Sequence, residues 1–447
     1  NKEKSNGNVL GVLVQFGGQT PLKIAKEIEE AGIKVIGTST EAIDLAEDRD
    51  RFSEILMKLK IAQPKNAFAN TVAQTLEKAE EIGYPVLVRP SYVLGGRAMQ
   101  IAYDKDNLES FSNEALEVSS NNVILIDEYL ENAKEIDVDI IRDKNGEIYV
   151  AGIMEHIEEA GIHSGDSACS LPPYSVSKET QNKIIEWVSK IANEINVVGL
   201  MNTQLAIKDK KIYVLEVNPR ASRTVPFVAK SKGIPVAKIA AKVMVGENLN
   251  SILNDYKINE LKNFNVKESV FPFNKFDGVD LILGPEMKST GEVMGIDETF
   301  LSSYIKSQIA CGNILPSKGT VFISIDNDNK KFIIEIAQKL KELDFNLLAT
   351  KGTAEYLNTN NIKTKIVNKV KEGNPHVVDS LINNEIQLVI NTTKTQSSIR
   401  DSYSIRRTSL MYNIPYYTTI AGAKVAVDAI EHMKTQEFTI KSLQTIN

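Results

Sequence analysis

The run at residues 215–220, LEVNPR, carries the clearest chemical pattern in the sequence. Side chains alternate between the two faces of a strand, so Glu216 and Asn218 are expected on the same face. A carboxylate and an amide oxygen are suitable ligands for one Mg²⁺, which would take the rest of its shell from phosphates and water. Arg220 and Arg223 follow and offer guanidinium groups to a phosphate or a carboxylate. From these residues alone, a solvent-exposed strand end with incidental charges explains the pattern about as well as a magnesium site does.

Gln204, on the preceding strand, makes the magnesium interpretation testable through the strand register. A two-residue loop at 209–210 would place Gln204 opposite Leu215 and turn Glu216 to the other face. A three-residue loop at 209–211 would instead pair Gln204 with Glu216 and bring both oxygens to one metal. The magnesium hypothesis therefore predicts the Gln204–Glu216 pair, through a three-residue loop or a bulge.

Three further segments have residue types that suit a bound nucleotide, and each also has an ordinary structural interpretation. Arg89 ends an apolar strand and precedes a Gly-Gly turn whose amides could cover a polyphosphate, although such a turn is more often a plain hairpin. The backbone of residues 127–130 could pair with an adenine edge while Glu135 reaches ribose hydroxyls, or the segment is a solvated acidic loop. In the polar loop 161–167, His163 could contact phosphate, but a histidine in such a loop is more often unremarkable. No Gly-Lys-Ser/Thr phosphate loop is present.

Apolar patterning divides the 447 residues into segments of different character. A strand at 9–16, a helix at 21–31 and a strand at 34–36 form one α/β unit that is too small to hold a core alone. The next part mixes hairpins and helices in an α+β body, with strands at 86–89, 123–126, 138–141, 148–153, 205–208 and 212–217 and helices at 51–58, 72–82, 181–195 and 237–244. Residues 247–315 have weak periodicity and are interpreted as a helical connector with extended pieces.

The pattern after residue 318 is a regular alternation of strands and helices. The strands are predicted at 321–325, 346–349, 365–367, 388–391 and 416–418, and the helices at 330–343, 355–358, 377–383 and 423–432. This alternation indicates a doubly wound parallel sheet, in which ligands bind at the carboxyl ends of the strands. The chain as a whole is therefore expected to be multidomain, with α/β and α+β parts.

Bulk properties exclude several classes of protein. A formal net charge of −6 without a basic stripe argues against a nucleic-acid surface. Cys169 and Cys311 are too few for a disulfide framework and lack metal-ligand spacing, which favours a reducing cytosol. No stretch approaches the ~18 apolar residues that a membrane span needs. We expect a cytoplasmic protein. The first residue is not Met, and a polar lead at 1–8 runs at once into an apolar strand, so the start is interpreted as the cut edge of a larger polypeptide.

Together these motifs resemble the carbamoyl phosphate synthetase large subunit, in its C-terminal half. The matching runs, in order, are 14–21 (VQFGGQTP), 47–52 (EDRDRF), 89–97, 154–158 (MEHIE), 163–167 (HSGDS), 216–220 and 273–276 (FNKF). The resemblance implies an ATP-grasp ligase that phosphorylates carbamate to carbamoyl phosphate, feeding pyrimidine and arginine synthesis. The implied divisions are a truncated Rossmann-like pre-ATP-grasp unit (1–48), the ATP-grasp domain (49–250), a connector (251–314) and a methylglyoxal-synthase-like allosteric domain (315–447).

The resemblance also implies roles for individual residues at the catalytic site. The implied nucleotide contacts are Arg49, Arg89, Glu128, Leu130, Glu135, Gly161, Ile162, His163 and Ser164. The implied ligands of Mg²⁺ or Mn²⁺ are Gln204, Glu216 and Asn218, with Arg220 and Arg223 at the reacting end and K⁺ as a further candidate ion. Phosphoryl transfer depends mainly on positioning and charge neutralisation, so such a site needs no covalent nucleophile. Carbamate is already an anionic nucleophile and needs no general base, and its instability in water requires an enclosed site.

Two effector sites are implied in the same way. Ornithine contacts would be Glu158, Asp166, Glu268 and Thr418. A pocket for a nucleotide effector such as uridylate or inosinate would contain Ser324, Lys330, Thr350, Thr353, Lys369, Asn391 and Thr393. The sequence departs from the family at 394–398 (KTQSS), where relatives that bind uridylate often carry an Arg pair, so the identity of the effector and ornithine control stay open.

The expected partners are a separate glutaminase subunit and the N-terminal synthetase half, which has no counterpart in these residues, and an oligomer is expected. Two alternatives remain. One is another ATP-grasp carboxylate ligase, such as a biotin carboxylase or a purine-pathway carboxylase. The other is a non-catalytic subunit that binds ATP and senses effectors, against which the set Gln204, Glu216, Asn218 and Arg220 argues, since a sensor needs no phosphoryl-transfer residues.

Overall fold

The computed structural model describes residues 2–90, 99–118, 123–258, 260–276 and 278–436, and it begins with a small α/β unit. The elements of this unit are α1 (Lys2–Asn6), β1 (Val12–Leu13), α2 (Gln19–Lys23), α3 (Ala25–Glu30), β2 (Val35–Ile36) and α4 (Thr40–Glu47). The strand expected at 9–16 is shorter than predicted, because β1 has only the short parallel β2 to pair with. The helix expected at 21–31 is two helices that meet at Ile24.

A four-stranded antiparallel sheet, the small sheet, follows the helix α5 (Arg49–Leu59) in the order β3-β6-β4-β5. Its elements are β3 (Asn66–Ala69), α6 (Val72–Ile82), β4 (Val86–Pro90), β5 (Gln100–Ala102), α7 (Lys105–Val118) and β6 (Ile124–Glu128). Asp48 caps α5, since its carboxylate accepts a hydrogen bond from the Arg51 N–H at 3.0 Å. This cap begins the helix at Arg49 and so fixes the backbone of that residue. Residues 91–98, which include the Gly-Gly turn and Arg97, lie outside the described residues.

A seven-stranded antiparallel sheet, the large sheet, forms the centre of the body in the order β11-β10-β7-β8-β9-β12-β13. Its first elements are β7 (Lys134–Arg142), β8 (Ile148–Glu159), β9 (Cys169–Leu171), α8 (Lys178–Ile195), β10 (Gly199–Lys208), β11 (Lys211–Asn218), α9 (Val225–Lys232) and α10 (Val236–Met244). The remaining elements are α11 (Leu249–Leu253), β12 (Phe264–Val270), β13 (Gly291–Asp297) and α12 (Phe300–Ala310). Strands β12 and β13 come from the segment interpreted as a connector and extend this sheet.

The β10–β11 hairpin settles the register on which the magnesium interpretation depends. Its turn has two residues, Asp209 and Lys210, both with positive φ, and Lys208 pairs with Lys211. Such turns match the twist of the flanking strands. A bulge at Leu215 then shifts the register so that Gln204 pairs with Glu216. The predicted pair is therefore confirmed, and it arises from the bulge and not from a three-residue loop.

The C-terminal part is a five-stranded parallel sheet in the order β16-β15-β14-β17-β18, which confirms the doubly wound prediction. Its elements are β14 (Thr320–Ser324), α13 (Lys330–Glu342), β15 (Asn346–Ala349), α14 (Lys351–Thr359), β16 (Lys365–Ile366), α15 (Val377–Ile382), β17 (Leu388–Asn391), α16 (Gln396–Asp401), α17 (Tyr403–Met411), β18 (Tyr416–Tyr417) and α18 (Ile420–Thr435). Helices α16 and α17 were not predicted, because the sequence from 394 to 411 is polar and has weak periodicity.

One hydrophobic core joins the C-terminal sheet to the rest of the chain. Ile157 of β8, Val266 of β12 and Tyr304 of α12 lie in the same buried cluster as residues of α13 and α18, such as Ile333 and Val425. The Tyr304 hydroxyl also hydrogen-bonds the Tyr417 hydroxyl at 3.2 Å. The C-terminal domain therefore packs against the large sheet through apolar side chains. Among the described residues, no helix combines the length and the apolar character that a membrane span requires.

Candidate active site

Asp127, at the end of β6, lies between two arginines in the cleft between the small and large sheets. Its carboxylate accepts a hydrogen bond from Arg49 Nη2 at 2.7 Å, and Arg89 Nε lies 3.1 Å from its other oxygen. Arg49 Nη1 donates to the carbonyl oxygen of Leu215 at 2.8 Å, so the bulge of the large sheet provides the second anchor of the same guanidinium. Burial alone would raise the pKa of Asp127, but the charges of Arg89 and Arg49 outweigh it and lower the pKa. Asp127 is therefore an ionised anchor that holds both arginines.

Three buried arginine donors near Asp127 and Glu216 are left without a hydrogen-bond partner among the described residues. They are the Nε atoms of Arg49, Arg89 and Arg220. The contact of Arg89 Nε with Asp127 is an ion pair by distance whose angle does not suit a hydrogen bond. An unpaired buried donor costs about 1–3 kcal/mol. Three such donors in one cleft fit an anion with several oxygens, such as a polyphosphate.

The predicted metal ligands form a connected chain that ends on Arg220. Asn218 Nδ2 donates to Glu216 Oε1 at 2.9 Å, and Arg220 Nη2 donates to Asn218 Oδ1 at 3.0 Å. Gln204 is the cross-strand partner of Glu216, so the two side chains share a face, and Gln204 Nε2 donates to Ser164 Oγ at 3.2 Å. Carboxylate and amide oxygens on one face are the donor set that Mg²⁺ or Mn²⁺ takes, so these residues fit a divalent cation.

The charge of Glu216 acts on four of the other predicted site residues. It raises the pKa of Arg89 and of Arg220, in each case against the larger effect of burial, which lowers it. Burial raises the pKa of Glu135, and the charge of Glu216 raises it further. Burial lowers the pKa of His163, and the charge of Glu216 opposes this change. The structure thus brings these four residues within electrostatic reach of one carboxylate. Arg223 is exposed, and its charge lowers the pKa values of His163 and Arg220.

Gln15 holds the loop that bears Arg220, a contact that the sequence analysis did not anticipate. The buried side-chain amide of Gln15 donates from Nε2 to the carbonyl oxygen of Pro219 at 2.5 Å. The backbone carbonyl oxygen of Gln15 accepts from the Ala221 N–H at 2.9 Å. Its Oε1 also accepts from the Thr38 N–H at 3.2 Å. Gln15 therefore fixes the backbone on both sides of Arg220. The only signal in the sequence was its place in the run 14–21 that carried the family resemblance.

The segment after β6 has one free backbone donor at the predicted adenine position. The Tyr129 N–H donates to the Pro85 carbonyl at 3.1 Å, and the Leu130 carbonyl accepts from the Ala133 N–H at 3.1 Å. The Leu130 N–H itself has no partner in the described part of the chain, which leaves it available to an acceptor on a base. The Glu128 carboxylate accepts from the Lys65 N–H at 3.2 Å and so braces the neighbouring strand.

The loop 161–164 lies against Tyr129 and is shaped by its glycine. Gly161 has φ +105°, and a Cβ there would meet Tyr129 Cε2 at 2.6 Å, so a side chain is excluded. His163 Nδ1 accepts from the Gly165 N–H at 2.9 Å, and its backbone N–H donates to Gly284. Burial lowers the pKa of His163. These contacts account for His163 as part of a tight turn, and its phosphate contact remains a prediction, as does that of Ile162.

A row of buried carboxyl groups on β7 continues from the site into the sheet. Glu135, Asp137 and Asp139 alternate along the strand and share one face. His156 Nε2 lies 2.8 Å from Asp137 Oδ2, and Asn202 Nδ2 donates to both Asp137 and Asp139 at 3.0 Å. Burial raises the pKa of Glu135 to about 7 and that of Asp139 to about 6. Burial alone would raise the pKa of Asp137 and lower that of His156. The hydrogen bond between the two groups outweighs burial, so the pKa of Asp137 is lowered and that of His156 is raised.

This row contains a cluster that could hold a cation. Ligand atoms of Glu135, Asp137 and His156 lie within 4.8 Å of one another, and His156 Nδ1 has no hydrogen-bond partner among the described residues. The ion pair between His156 and Asp137 already explains much of the arrangement. Binding of the predicted K⁺ here remains a hypothesis.

The residues predicted to contact a nucleotide effector surround one cavity of about 490 Å³ in the C-terminal domain. All seven line it: Ser324, Lys330, Thr350, Thr353, Lys369, Asn391 and Thr393. The buried Oδ1 atom of Asn391 has no partner within the described residues. Thr395, Ser397 and Ser398, from the segment that departs from the family, also line the cavity. Hydroxyl and ammonium groups of this kind suit a phosphate.

The four residues predicted to contact ornithine do not all have free side chains. Glu158 and Glu268 are half-buried neighbours, and burial together with the charge of Glu158 raises the pKa of Glu268 to about 8. Asp166 is occupied, because its carboxylate accepts from the N–H groups of Lys288 and Ser289 at 2.8 Å each. Thr418 directly follows β18 and is half-buried.

The small sheet carries Arg89, the large sheet carries the oxygen ligands, and Arg49 at the start of α5 bridges the two sheets. This arrangement defines the chain as an ATP-grasp protein. Family models agree with this class. The model for the carbamoyl-phosphate synthase L chain, ATP binding domain, matches residues 48–252, that for the carbamoyl phosphate synthase preATP-grasp domain matches 2–45, and that for the MGS-like domain matches 332–418. The crystal structure of a biotin carboxylase complex from Campylobacter jejuni has a similar fold, with a TM-score of 0.56 and 17% identity over 69% of this chain and 75% of that one.

The chain belongs to the carbamoyl phosphate synthase large chain family. It is 48% identical over 456 residues to the carbamoyl phosphate synthase large chain, C-terminal section, of Methanocaldococcus jannaschii. This match covers 100% of this chain and 74% of that protein. It is 52% identical over 435 residues to the carbamoyl phosphate synthase large chain of Archaeoglobus fulgidus, over 97% of this chain. The chain spans only 40% of the length of that Archaeoglobus protein.

Proposed function

We propose that this chain phosphorylates carbamate with ATP to give carbamoyl phosphate and ADP, as the C-terminal synthetase half of a carbamoyl phosphate synthase. The observation that carries the proposal is the convergence of Gln204, Glu216, Asn218 and Arg220 on one face, beside the anchored pair Arg49 and Arg89. These groups supply oxygen ligands and cationic donors but no nucleophile. That set suits transfer of a phosphoryl group to a substrate that is itself a nucleophile.

The reaction needs positioning more than acid–base chemistry. A carbamate oxygen attacks the γ-phosphorus, the bond from that phosphorus to the bridging oxygen breaks, and ADP leaves. Gln204, Glu216 and Asn218 would hold Mg²⁺, which neutralises phosphate charge when bound. Arg220 is oriented by Asn218 and by the loop that Gln15 fixes, and its unpaired Nε faces no protein acceptor among the described residues. Donors fixed in advance of the reaction stabilise developing charge without reorganisation.

The nucleotide is proposed to lie between the two sheets, with its phosphates near Arg49 and Arg89. The free N–H of Leu130 supports a contact with the adenine edge, and Glu135 remains the proposed ribose contact. Proposed partners are a glutaminase subunit and the N-terminal synthetase half, in a cytoplasmic oligomer, with Mn²⁺ as an alternative to Mg²⁺. The C-terminal cavity is proposed to take a small phosphorylated effector such as uridylate or inosinate, and the Glu158–Glu268 neighbourhood is proposed to take ornithine.

Synthesis of ATP from ADP and carbamoyl phosphate by the whole chain tests this proposal directly, because the reverse reaction needs neither ammonia nor bicarbonate. We expect Mg²⁺-dependent ATP formation by the wild-type chain and a loss on the order of 10² or more for Arg220→Ala. Lys210→Met, in the exposed turn of the same hairpin, is the matched control and should keep wild-type activity. A folded chain that binds ADP but forms no ATP would favour the non-catalytic sensor. ADP release that responds to bicarbonate and not to carbamate would favour another carboxylate ligase.

A further inference from the structure

Lys394 connects the effector cavity to the turn beside the proposed adenine position. Its neighbours Thr393 and Thr395 line the cavity, whereas Lys394 itself extends away from it. The Lys394 ammonium lies 2.5 Å from Glu131 Oε1 and 3.0 Å from Asp328 Oδ2, and it sits 5.5 Å from the centroid of the Tyr103 ring. One side chain of the C-terminal domain thus contacts two segments of the ATP-grasp body.

Glu131 belongs to a compact turn, residues 129–133, that carries the free Leu130 N–H. The Glu131 N–H donates to the Tyr129 carbonyl at 3.0 Å, and the Ala133 N–H donates to the Leu130 carbonyl at 3.1 Å. A displacement of Glu131 would therefore be transmitted to the backbone of Leu130. Tyr103 directly follows β5 of the small sheet, so the same ammonium also lies against that sheet.

The surroundings make Lys394 more than a solvated surface charge. Its side chain is 14% exposed, and that of Glu131 is 28% exposed, so the pair is shielded from solvent better than an ordinary surface ion pair. Glu131 and Asp326 add to the burial that raises the pKa of Glu159, and Lys394 opposes this effect. Lys394 thus lies between acidic groups of the two domains, Glu131 and Asp328.

We propose that Lys394 is a positioning residue that fixes the turn 129–133 from the C-terminal domain, so that the Leu130 N–H keeps its place for the base of a bound nucleotide. The proposal rests on the proposed nucleotide site. Lys394 acts through Glu131 and does not itself contact the nucleotide.

Titration calorimetry of ADP with Mg²⁺ against the whole chain tests the positioning role. Lys394→Met and Glu131→Gln are each expected to weaken ADP binding on the order of 5-fold, and the double variant should be no weaker than either single one. Inorganic tripolyphosphate, which has no adenine, should bind all variants equally. Lys339→Met is the matched control, since Lys339 also pairs with two acidic groups, Asp428 at 2.6 Å and Glu431 at 2.8 Å, but within the C-terminal domain.

The outcomes separate this inference from the proposed function. Failure of the wild-type chain to bind ADP would overturn both. Binding of ADP by wild type and by the Lys394 and Glu131 variants within two-fold of one another would overturn the positioning role alone. Equal losses for ADP and tripolyphosphate would also overturn it, because they indicate general destabilisation.

Discussion

Replacement of Glu135 by glutamine is expected to stabilise the large sheet at neutral pH. Glu135 is 4% exposed, and burial is the main reason that its pKa rises. In the folded state Glu135 therefore stays protonated over a pH range in which it is ionised in the unfolded chain. The free energy of unfolding falls as the pH rises through that range. With the pKa raised from 4.5 to about 7, and about 1.4 kcal/mol per pKa unit, the wild-type chain loses about 3 kcal/mol between pH 4.5 and 7 that Glu135→Gln keeps.

The assay uses Trp187, the single tryptophan of the chain. Trp187 packs on the same core cluster as Ile136 and Val138 of β7, so its fluorescence reports unfolding of the sheet that contains Glu135. Urea unfolding at pH 5, 6, 7 and 8 should give a difference in unfolding free energy between variant and wild type that grows with pH and levels off above pH 7. Glu147→Gln, an exposed carboxylate in the β7–β8 connection, is the control.

Parallel pH profiles for Glu135→Gln and wild type between pH 5 and 7 would refute the reasoning, since no buried charge would then be formed. A difference that shrinks with rising pH would refute its sign. If the variant gains stability and the Glu147→Gln control does too, the effect belongs to net charge and not to burial.

Four further predictions concern the proposed catalytic site and the C-terminal cavity. In the forward reaction, Arg220→Ala should lower turnover on the order of 10² or more, and a value within a few-fold of wild type would remove its role. Glu216→Gln and Asn218→Asp change the charge at the ligand face in opposite directions, so both should alter the Mg²⁺ concentration for half-maximal rate; an unchanged Mg²⁺ response in both would exclude them as ligands. Gln15→Leu leaves the Pro219 carbonyl unpaired and should lower kcat while ADP affinity stays within a few-fold; parallel losses would indicate misfolding. Lys369→Ala should weaken uridylate or inosinate binding about 10-fold in calorimetry of the whole chain, and an unchanged affinity would place the phosphate elsewhere.

The local parts of the site could be predicted from the sequence, because alternation along one strand is a property of neighbouring residues. Glu216 and Asn218 were assigned to one face in this way. The pairing of Gln204 with Glu216 was predicted only as a requirement of the metal hypothesis, since nothing in the sequence marks Leu215 as a bulged residue. The bulge depends on the partner strand and on Arg49, whose guanidinium takes the Leu215 carbonyl.

Long-range contacts explain most of what the sequence left unpredicted. Gln15 and Pro219 are 204 residues apart, and no local pattern connects a residue after β1 to the loop after β11. Strand β12 pairs with β9, which lies about a hundred residues earlier, and its own periodicity is too weak to show that it belongs to the central sheet. Lys394 was noted only as a departure from the family pattern, and its contact with Glu131 requires two domains to be in place.

The core that β8, β12 and α12 share with α13 and α18 limits how the C-terminal domain can be exchanged. A domain joined by a flexible linker can be moved between proteins as a unit, because its hydrophobic core contains only its own residues. Here Val266 and Tyr304 belong to the same interior as Ile333 and Val425, so cleavage at residue 315 would leave apolar faces on both products. A transplant of the C-terminal domain would have to carry α12 with it and meet a recipient sheet whose side chains complement that helix.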